Sequence, residues 1–196
     1  VLDPRPDTET LIEAALSGKP AKTILDIGTG TGCIPITLLL EWTESQAVAV
    51  DISPAALAVA GDNACKHKVQ NRLSLIESDL DKSVDNSVGD RGMFDLIVSN
   101  PPYIPRKDLV TLDVDVKNHD PVLALDGGND GLDFYRKIVF IIKNRLKPQG
   151  RALLEIGISQ DKSVPRLVED QGLLVHRIVP DLGGIPRVVE ISLGKT

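Results

Sequence analysis

Short apolar segments alternate with helical patterns along the chain, and this alternation limits the possible folds more than any other feature of the sequence. Strands that alternate with helices form a parallel sheet with helices packed on both faces. We therefore predict an α/β, doubly wound fold, with an antiparallel strand where the last two strands follow each other closely. The predicted strands are 22–28, 47–51, 73–78, 94–100, 151–157, 173–180 and 187–193, and the predicted helices are 7–18, 33–42, 54–66, 131–147 and 161–171.

The composition fits one domain of ordinary size. The chain has 196 residues, of which 42% are apolar, so it can bury a core without disulfides or a structural metal. The net charge of −6 argues against non-specific binding to nucleic-acid phosphates, and no apolar run reaches the roughly 20 residues that span a bilayer. The two cysteines and three histidines lack metal-ligand spacing. We expect no metal, no membrane segment and no directly bound nucleic acid.

A glycine-rich segment, DIGTGTGC at 26–33, follows the first predicted strand. Its glycines alternate as G-x-G-x-G, whereas the dinucleotide fingerprint G-x-G-x-x-G would need a glycine where Cys33 stands. Glycines let the backbone turn tightly and approach a ligand closely. The carboxylate of Asp26 is an unfavourable neighbour for a pyrophosphate, but it suits a cation such as the ammonium of an amino acid. These features favour S-adenosylmethionine, which carries an amino acid and an adenosine but no phosphate.

Two further carboxylates follow neighbouring strands at the carboxyl rim of the sheet, where doubly wound folds bind their ligands. Asp51 ends the second predicted strand, where an acid can accept hydrogen bonds from both hydroxyls of a ribose. Asp79 follows the third strand and can accept from an adenine amino group, with Leu80 against the ring. Each residue alone is equally well explained as a turn or a solvated strand end. The ordered set favours a ligand that carries a nucleoside.

The fourth predicted strand runs into the stretch SNPPYI at 99–104, which its prolines make rigid. Two acceptors lie close together there, the carboxamide oxygen of Asn100 and the carbonyl of Pro101. Each can accept a hydrogen bond from one hydrogen of a planar NH2 group. Tyr103 can stack on that group and exclude water. Catalysis would then consist mainly of aligning nitrogen, methyl carbon and sulfur. The pattern does not choose among adenine, guanine, cytosine and glutamine, and an ordinary rigid turn is the alternative.

Six segments of the sequence form a recognisable set: PRPDTE (4–9), DIGTGTG (26–32), VDIS (50–53), NPPYI (100–104), ALDGGNDGLDFYR (124–136) and DLGGIPRVVEISLG (181–194). Together they resemble one known family, the HemK/PrmC glutamine N5-methyltransferases of peptide-chain release factors. NPPY and the glycine loop are shared with many DNA and RNA aminomethyltransferases, whereas PRPDTE and ALDGGNDGLDFYR are much more specific to this family.

The resemblance implies a class I, Rossmann-like methyltransferase with a seven-stranded, mostly parallel sheet and one antiparallel strand near the C-terminus. It implies S-adenosylmethionine as methyl donor, S-adenosylhomocysteine as product, and methylation of the Gln side chain in the Gly-Gly-Gln loop of a release factor. The implied catalytic residues are Asn100, Pro101 and Tyr103, and Pro102 joins them in holding the substrate. The resemblance places residues 28–32, Asp51, Leu80 and Asn100 at the cofactor. Together with the carboxylates argued above, the predicted cofactor-binding residues are Asp26, Gly28, Thr29, Gly30, Thr31, Gly32, Asp51, Ile52, Asp79, Leu80 and Asn100.

The resemblance also sets expectations outside this rim. Arg5 and Pro6 would lie near the mouth of the active site, and Asp120-Pro121 stands where the family usually has Glu-Pro. The long stretch 101–130 is expected to form a flap over the substrate. We expect residues 1–196 to be a methyltransferase domain without the upstream helical domain of the family, and therefore to recognise its protein substrate weakly. The implied location is the cytoplasm of a bacterium, or the mitochondrial matrix if the source is a eukaryote.

Three other functions are compatible with parts of this pattern. A DNA or RNA amino-group methyltransferase would use the same NPPY loop, but it would need a basic surface for phosphate contacts. A non-catalytic cofactor-binding scaffold would not need Asn100, Tyr103 and the glycine loop together. A nicotinamide dehydrogenase would need a glycine in place of Cys33.

Overall fold

Five α-helices and seven β-strands make up the described part of the chain, which in this computed structural model comprises residues 6–80, 82, 92–111, 121 and 124–194. Short 3₁₀ helices cover Gln70–Arg72 and Arg106–Thr111. The α-helices are α1 (Pro6–Leu16), α2 (Cys33–Glu41), α3 (Pro54–Lys66), α4 (Asp133–Arg145) and α5 (Ser163–Asp170). The strands are β1 (Thr23–Ile27), β2 (Gln46–Asp51), β3 (Leu73–Glu77), β4 (Phe94–Ser99), β5 (Leu146–Glu155), β6 (Leu173–Pro180) and β7 (Pro186–Leu193).

The seven strands form one sheet in the order β3-β2-β1-β4-β5-β7-β6. The pairs from β3 to β5 are parallel, and β7 runs antiparallel between β5 and β6. The prediction of a doubly wound, mostly parallel sheet with an antiparallel strand near the C-terminus is confirmed. Because β7 occupies the place between β5 and β6, the last strand in sequence is not the edge of the sheet.

Each central strand sends successive side chains into two separate cores. In β1, Ile24 joins the core beneath α1 and α2, while Leu25 and Ile27 join the core beneath α4 and α5. In β4, Leu96 and Ile97 divide between the two cores in the same way. Successive residues of a strand face opposite sides, so a strand covered on both faces must be apolar at nearly every position. This explains the continuous apolar runs of the sequence.

The helix borders follow local signals in the sequence. The Ser53 hydroxyl accepts a hydrogen bond from the Ala56 amide at 3.3 Å, and Pro54 occupies the first helical position of α3. Both features agree with the predicted start of this helix. No helix in the described segments has the length and apolar character that a membrane crossing requires.

The start of β5 is the largest departure from the predicted element borders. The sequence Pro148-Gln-Gly150 predicts the end of a helix, but the strand already begins at Leu146, which pairs with Phe94. The register between β4 and β5 shifts between Phe94 and Leu96. Such an irregularity in the ladder is where a strand tolerates proline and glycine. The turn-forming residues therefore lie inside the strand and not before it.

We expect Gly61→Ala to raise the free energy of unfolding by about 0.5–1 kcal/mol, measured by urea denaturation. Gly61 lies inside α3, where alanine restricts the unfolded chain and favours the helix. A Cβ atom at this position would come no closer than 3.5 Å to Leu75 Cδ1, which is an ordinary contact.

Gly172→Ala is the matched control, because the added methyl group also meets no obstacle there. Gly172 has a φ of +77°, so alanine should lower the free energy of unfolding by about 1–2 kcal/mol. If both variants shift stability in the same direction, backbone conformation does not control these positions.

Candidate active site

The two loops that carry the main sequence motifs lie side by side at the centre of the sheet. β1 connects through α2 to β2 on one side, while β4 leads to β5 on the other, so the strand order reverses between β1 and β4. Ile27 pairs with Ser99, and the Ser99 hydroxyl donates a 2.7 Å hydrogen bond to the Ile27 carbonyl. Gly28 and Asn100 are the next residues on each strand. The crevice at such a reversal is where doubly wound folds bind ligands.

The glycine loop leaves one side of its backbone open. Gly28, Gly30 and Gly32 all have positive φ values, of 75°, 57° and 78°. A Cβ atom at Gly28 or Gly30 would meet no atom within 4 Å, whereas at Gly32 it would lie 3.1 Å from Ala60 Cβ. The first two glycines therefore keep space for a ligand, and the third lets α2 pack closely against α3. Asn63 supports the loop by donating a 3.0 Å hydrogen bond to the Thr31 carbonyl.

Asp51 ties the glycine loop to the end of β2. Its Oδ2 accepts a hydrogen bond from the Gly30 amide at 2.9 Å, and its Oδ1 accepts from the Ser53 amide at 2.9 Å. Each carboxylate oxygen can accept a second hydrogen bond. The side chain is half-buried at the rim, so acceptor capacity remains for the hydroxyl groups of a ligand.

Asp26 is the most unusual charged group of the site. It is fully buried, and neither carboxylate oxygen has a hydrogen-bond partner among the described residues. Burial raises the pKa of Asp26 to about 7. The adjacent Thr29 hydroxyl lowers this pKa somewhat, although it forms no well-formed hydrogen bond with the carboxylate, and the negative charge of Asp51 raises the pKa further. An unpaired buried carboxylate is costly in the ligand-free protein. A cationic group of a ligand is the partner that would relieve this cost.

The remaining predicted cofactor residues lie beside β2 and β3. Ile52 follows Asp51 and has 61% of its surface exposed, so its apolar face is available to a flat ring. Leu80, in a left-handed conformation with φ of 61°, packs on the core beneath α4. Asp79 pairs with Lys82, whose hydrogen bond is the main reason that the pKa of this exposed carboxyl lies below its usual value. Its contact with adenine stays a prediction.

Asn100 is the first member of a chain of hydrogen bonds through two residues that the sequence analysis missed. Its Nδ2 donates a 3.0 Å hydrogen bond to the Thr8 hydroxyl, which in turn donates a 3.0 Å hydrogen bond to Oε2 of Glu155. Thr8 and Glu155 are 5% and 1% exposed. Thr8 lies in the PRPDTE segment, so that motif was a signal for it. Glu155 ends β5 in an otherwise apolar run, and a charge at such a position was the only signal for it.

Tyr103 is held by a buried glutamine that the sequence analysis also missed. Nε2 of Gln160 donates hydrogen bonds to the carbonyls of Tyr103 and Gly131, each at 3.1 Å. Its Oε1 accepts from the Gly157 amide at 2.9 Å and lies 3.2 Å from the Tyr135 hydroxyl, whose single hydrogen it shares with the Glu155 carbonyl at 2.8 Å. All the hydrogen-bonding groups of the Gln160 side chain are thereby used. This side chain joins the loop after β4 to the loop after β5.

The glycines of the ALDGGNDG segment allow it to pack directly against the Tyr103 backbone. A Cβ atom at Gly127 would lie 2.8 Å from the Tyr103 carbonyl carbon, and one at Gly131 would lie 2.5 Å from the Tyr103 carbonyl oxygen. Hydrogen bonds join the Ile104 amide to the Leu125 carbonyl and the Gly127 amide to the Ile104 carbonyl. The segment therefore forms a support behind the Tyr103 loop, and only glycine fits at its closest points.

Parts of the predicted flap and of the predicted mouth lie outside the described residues. These parts include Arg5 and Asp120. Within the described portion of 101–130, residues 125–128 pack against Tyr103 and Ile104, and Arg106 forms an exposed ion pair with Asp126 at 3.0 Å. Pro6 begins α1, close in sequence to Thr8. A role of this region as a flap over substrate stays a prediction. Within the described residues, no group of three or more His, Cys, Asp or Glu side chains could hold a metal ion.

Comparison with known sequences identifies the family. The sequence profile of the Methyltransferase small domain matches residues 5–116. This chain belongs to that methyltransferase family. The release factor glutamine methyltransferase of Cereibacter sphaeroides is 49% identical over 98% of the chain, and that of Geobacter sulfurreducens is 44% identical over 99%. The chain covers 66% of each of these relatives, about two thirds of their length. The resemblance drawn from the motifs is confirmed.

Solved structures support the methyltransferase fold. A methyltransferase from Pyrococcus furiosus superposes with a TM-score of 0.70 over 99% of this chain and 85% of its own, at 17% identity. An RNA methyltransferase from Salinibacter ruber, in complex with S-adenosyl-L-homocysteine, gives a TM-score of 0.63 over 100% of this chain and 96% of its own, at 16% identity. At such identities the likeness establishes the fold alone. The predicted class I methyltransferase architecture is confirmed.

We expect Asp26→Asn to remove a pH dependence from the stability of the ligand-free methyltransferase. A buried Asp with a raised pKa stabilises the fold while it is protonated, and this contribution is lost as the pH rises from about 4 to about 7. Between pH 4 and pH 8, the free energy of unfolding of the wild type should fall by about 2–4 kcal/mol relative to that of Asp26→Asn. Urea denaturation at several pH values measures this shift.

Asp79→Asn is the control for that measurement, because the pKa of the exposed Asp79 is lowered and not raised. From pH 4 to pH 8, the free energy of unfolding of the wild type should not fall relative to that of Asp79→Asn. A wild-type stability that runs parallel to that of Asp26→Asn over this pH range would contradict the raised pKa of Asp26.

We expect Gly127→Ala to lower the free energy of unfolding by about 1–3 kcal/mol and to displace the Tyr103 loop. The added methyl group would overlap backbone atoms of Tyr103, which cannot move aside as a flexible side chain can. Urea denaturation measures the first effect, and the NMR signals of Tyr103 measure the second. Gly61→Ala is the matched control, since its methyl group makes only ordinary contacts. Unchanged stability in Gly127→Ala would show that the support behind Tyr103 is not tightly packed.

Proposed function

We propose that this methyltransferase transfers a methyl group from S-adenosylmethionine to the side-chain amide nitrogen of a glutamine, in the Gly-Gly-Gln loop of a peptide-chain release factor. The observation that carries the proposal is the orientation of Asn100 at the crevice between β1 and β4. Its NH2 group is engaged by Thr8, which leaves Oδ1 as an acceptor for the NH2 group of a substrate. The names of the relatives support the choice of glutamine and of a release factor.

The residues of the crevice fit S-adenosylmethionine. The unpaired buried carboxylate of Asp26 suits the ammonium group of the cofactor, and the spare lone pairs of Asp51 suit its ribose hydroxyls. The open backbone at Gly28 and Gly30 allows close approach, and the exposed side chain of Ile52 can cover the adenine. When bound, the cofactor supplies an electrophilic methyl group attached to a sulfonium sulfur.

The loop after β4 would bind and orient the nucleophile. Oδ1 of Asn100 and the carbonyl of Pro101 each accept one hydrogen of the substrate amide, which holds its nitrogen with the lone pair out of the amide plane. Tyr103 stacks on the flat group, and Pro102 keeps the loop rigid. An amide nitrogen is a poor nucleophile, so the main contribution of these residues is alignment and exclusion of water. The methylated nitrogen is strongly acidic and loses its proton without a dedicated base.

The partner and the location follow from the same proposal. The substrate would be a release factor, bound as a protein through its Gly-Gly-Gln loop and not as nucleic acid. The relatives with this name come from bacteria, so we infer that the enzyme acts in the bacterial cytoplasm, where translation ends.

We expect Asn100→Ala to lower methyl transfer at least about 100-fold while S-adenosylhomocysteine binds less than about tenfold more weakly. Transfer of a labelled methyl group to a purified release factor measures the first effect, and calorimetry measures the second. Asn144→Ala is the matched control, because Asn144 is an exposed residue of α4 whose side chain donates a hydrogen bond to the Phe140 carbonyl of the same helix. It should retain wild-type transfer.

The same assay tests the substrate. It compares the release factor, a release factor with the Gln of its Gly-Gly-Gln loop replaced, and samples of DNA and RNA. Label that appears only on the unmodified release factor supports the proposal. Label on nucleic acid, or label that persists after the Gln replacement, would contradict it and favour the amino-group methyltransferase alternative.

A further inference from the structure

We propose that Thr8, held by Glu155, is a positioning residue. It determines whether the oxygen or the NH2 group of the Asn100 carboxamide points to the substrate. This inference rests on the proposed function for its consequence in catalysis. The three side chains come from α1, β5 and the loop after β4. Thr8 is 92 residues from Asn100 in sequence and 147 from Glu155, so only the folded chain brings them together.

The direction of each hydrogen bond follows from what each group can donate. The Thr8 hydroxyl donates its single hydrogen to Oε2 of Glu155, 3.0 Å away, because an ionised carboxylate only accepts hydrogen bonds. The lone pairs of the hydroxyl then face Asn100. Only the NH2 group of Asn100 can satisfy them, and it does so at 3.0 Å. An amide turned by 180° would place two acceptors against each other.

The consequence for Asn100 is a fixed orientation of its carboxamide. With Nδ2 directed at Thr8, Oδ1 is the acceptor that remains for a substrate. The opposite orientation would present a donor to the substrate NH2 group, which also donates. Thr8 therefore selects the productive orientation of Asn100 without touching the substrate. The burial of Thr8 and Glu155 excludes water that could otherwise stabilise both orientations.

The position of Thr8 is itself secured at the start of α1. The neighbouring Asp7 forms an ion pair with Arg187 at 3.2 Å, and Arg187 also bonds Asp181 at 3.0 Å. Arg187 is only 8% exposed, so these bonds are largely shielded from solvent. Arg187 lies on β7, and its carbonyl accepts a 2.8 Å hydrogen bond from the amide of Ile156, the residue after Glu155. The first turn of α1 and the end of β5 are thus held in one arrangement.

The experiment compares Thr8→Val, Thr8→Ser and Thr10→Val in methyl transfer to a release factor. Thr8→Val keeps the shape but loses the hydroxyl, and we expect kcat to fall about 10- to 100-fold with little change in the KM for the cofactor. Thr8→Ser retains the hydroxyl and should restore most of the rate. Thr10→Val makes the same change two residues further along α1, about 200° around the helix from these contacts, and should behave as wild type. Equal damage by Thr8→Ser and Thr8→Val, or a wild-type rate in Thr8→Val, would overturn the inference.

The single variant Glu155→Gln tests the proposal without requiring that Thr8→Val folds. A carboxamide can donate or accept, so it no longer fixes the direction of the Thr8 hydroxyl, and we expect a lower kcat. Because Glu155 acts through Thr8, the double variant should be no slower than Thr8→Val alone. A wild-type kcat in Glu155→Gln, or fully multiplicative losses in the double variant, would contradict this coupling.

The side-chain amide signals of Asn100 in a ¹H–¹⁵N NMR spectrum provide a readout that needs no activity. They are identified by their loss in Asn100→Ala. In wild type and Thr8→Ser, one hydrogen should be shifted downfield and protected from exchange, and in Thr8→Val that protection should disappear. If no release factor is methylated but the signals behave in this way, the proposed function fails and the positioning by Thr8 stands. Signals that are the same in Thr8→Val and wild type would overturn the positioning itself.

Discussion

The parallel pairing of β1 with β4 is the constraint on which the rest of the site depends. Strand order reverses between these two strands, so the loops that follow them diverge and leave a crevice. Ile27 pairs with Ser99, and the Ser99 hydroxyl fixes the two strand ends with a bond to the Ile27 carbonyl. A shift by one residue would turn the apolar side chains of β4 to the wrong cores. Burial on both faces thus places the glycine loop beside Asn100.

Buried polar side chains then fix the loops that the sheet brings together. Gln160 uses all its hydrogen-bonding groups to join the Tyr103 loop to the end of β5, and the close approach of Gly127 supports that loop from behind. Thr8 and Glu155 do the same for Asn100. Hydrogen bonds between buried polar groups are stronger in the low-dielectric interior than at the surface. When every donor and acceptor is paired, the side chains are held in one arrangement. The rigidity of the NPPY loop is therefore a property of its surroundings as much as of its prolines.

Asp26 differs from these buried polar side chains in its hydrogen bonding. Thr8, Glu155 and Gln160 are buried with partners, whereas the Asp26 carboxylate is buried without a hydrogen-bond partner among the described residues. Its pKa near 7 expresses the cost of holding a charge there, because burial disfavours the ionised form. A site that is unfavourable when empty binds a cationic group more tightly, since the ligand removes the penalty. The residues proposed to position the substrate already have their hydrogen-bond partners in the fold, while the residue proposed for the cofactor has none among the described residues.

The sequence by itself determined the layers of the fold, the antiparallel strand and the rim on which the motifs lie, because apolar periodicity, glycine and proline act locally. It could not place the start of β5, since the register shift beside Phe94 depends on the partner strand. It also missed Thr8, Glu155 and Gln160, whose hydrogen-bond partners are distant in sequence. Only the tertiary structure decided which way the Asn100 carboxamide faces and which carboxylate stays unpaired. Both depend on desolvation and on donor–acceptor matching between segments that meet only after the sheet has formed.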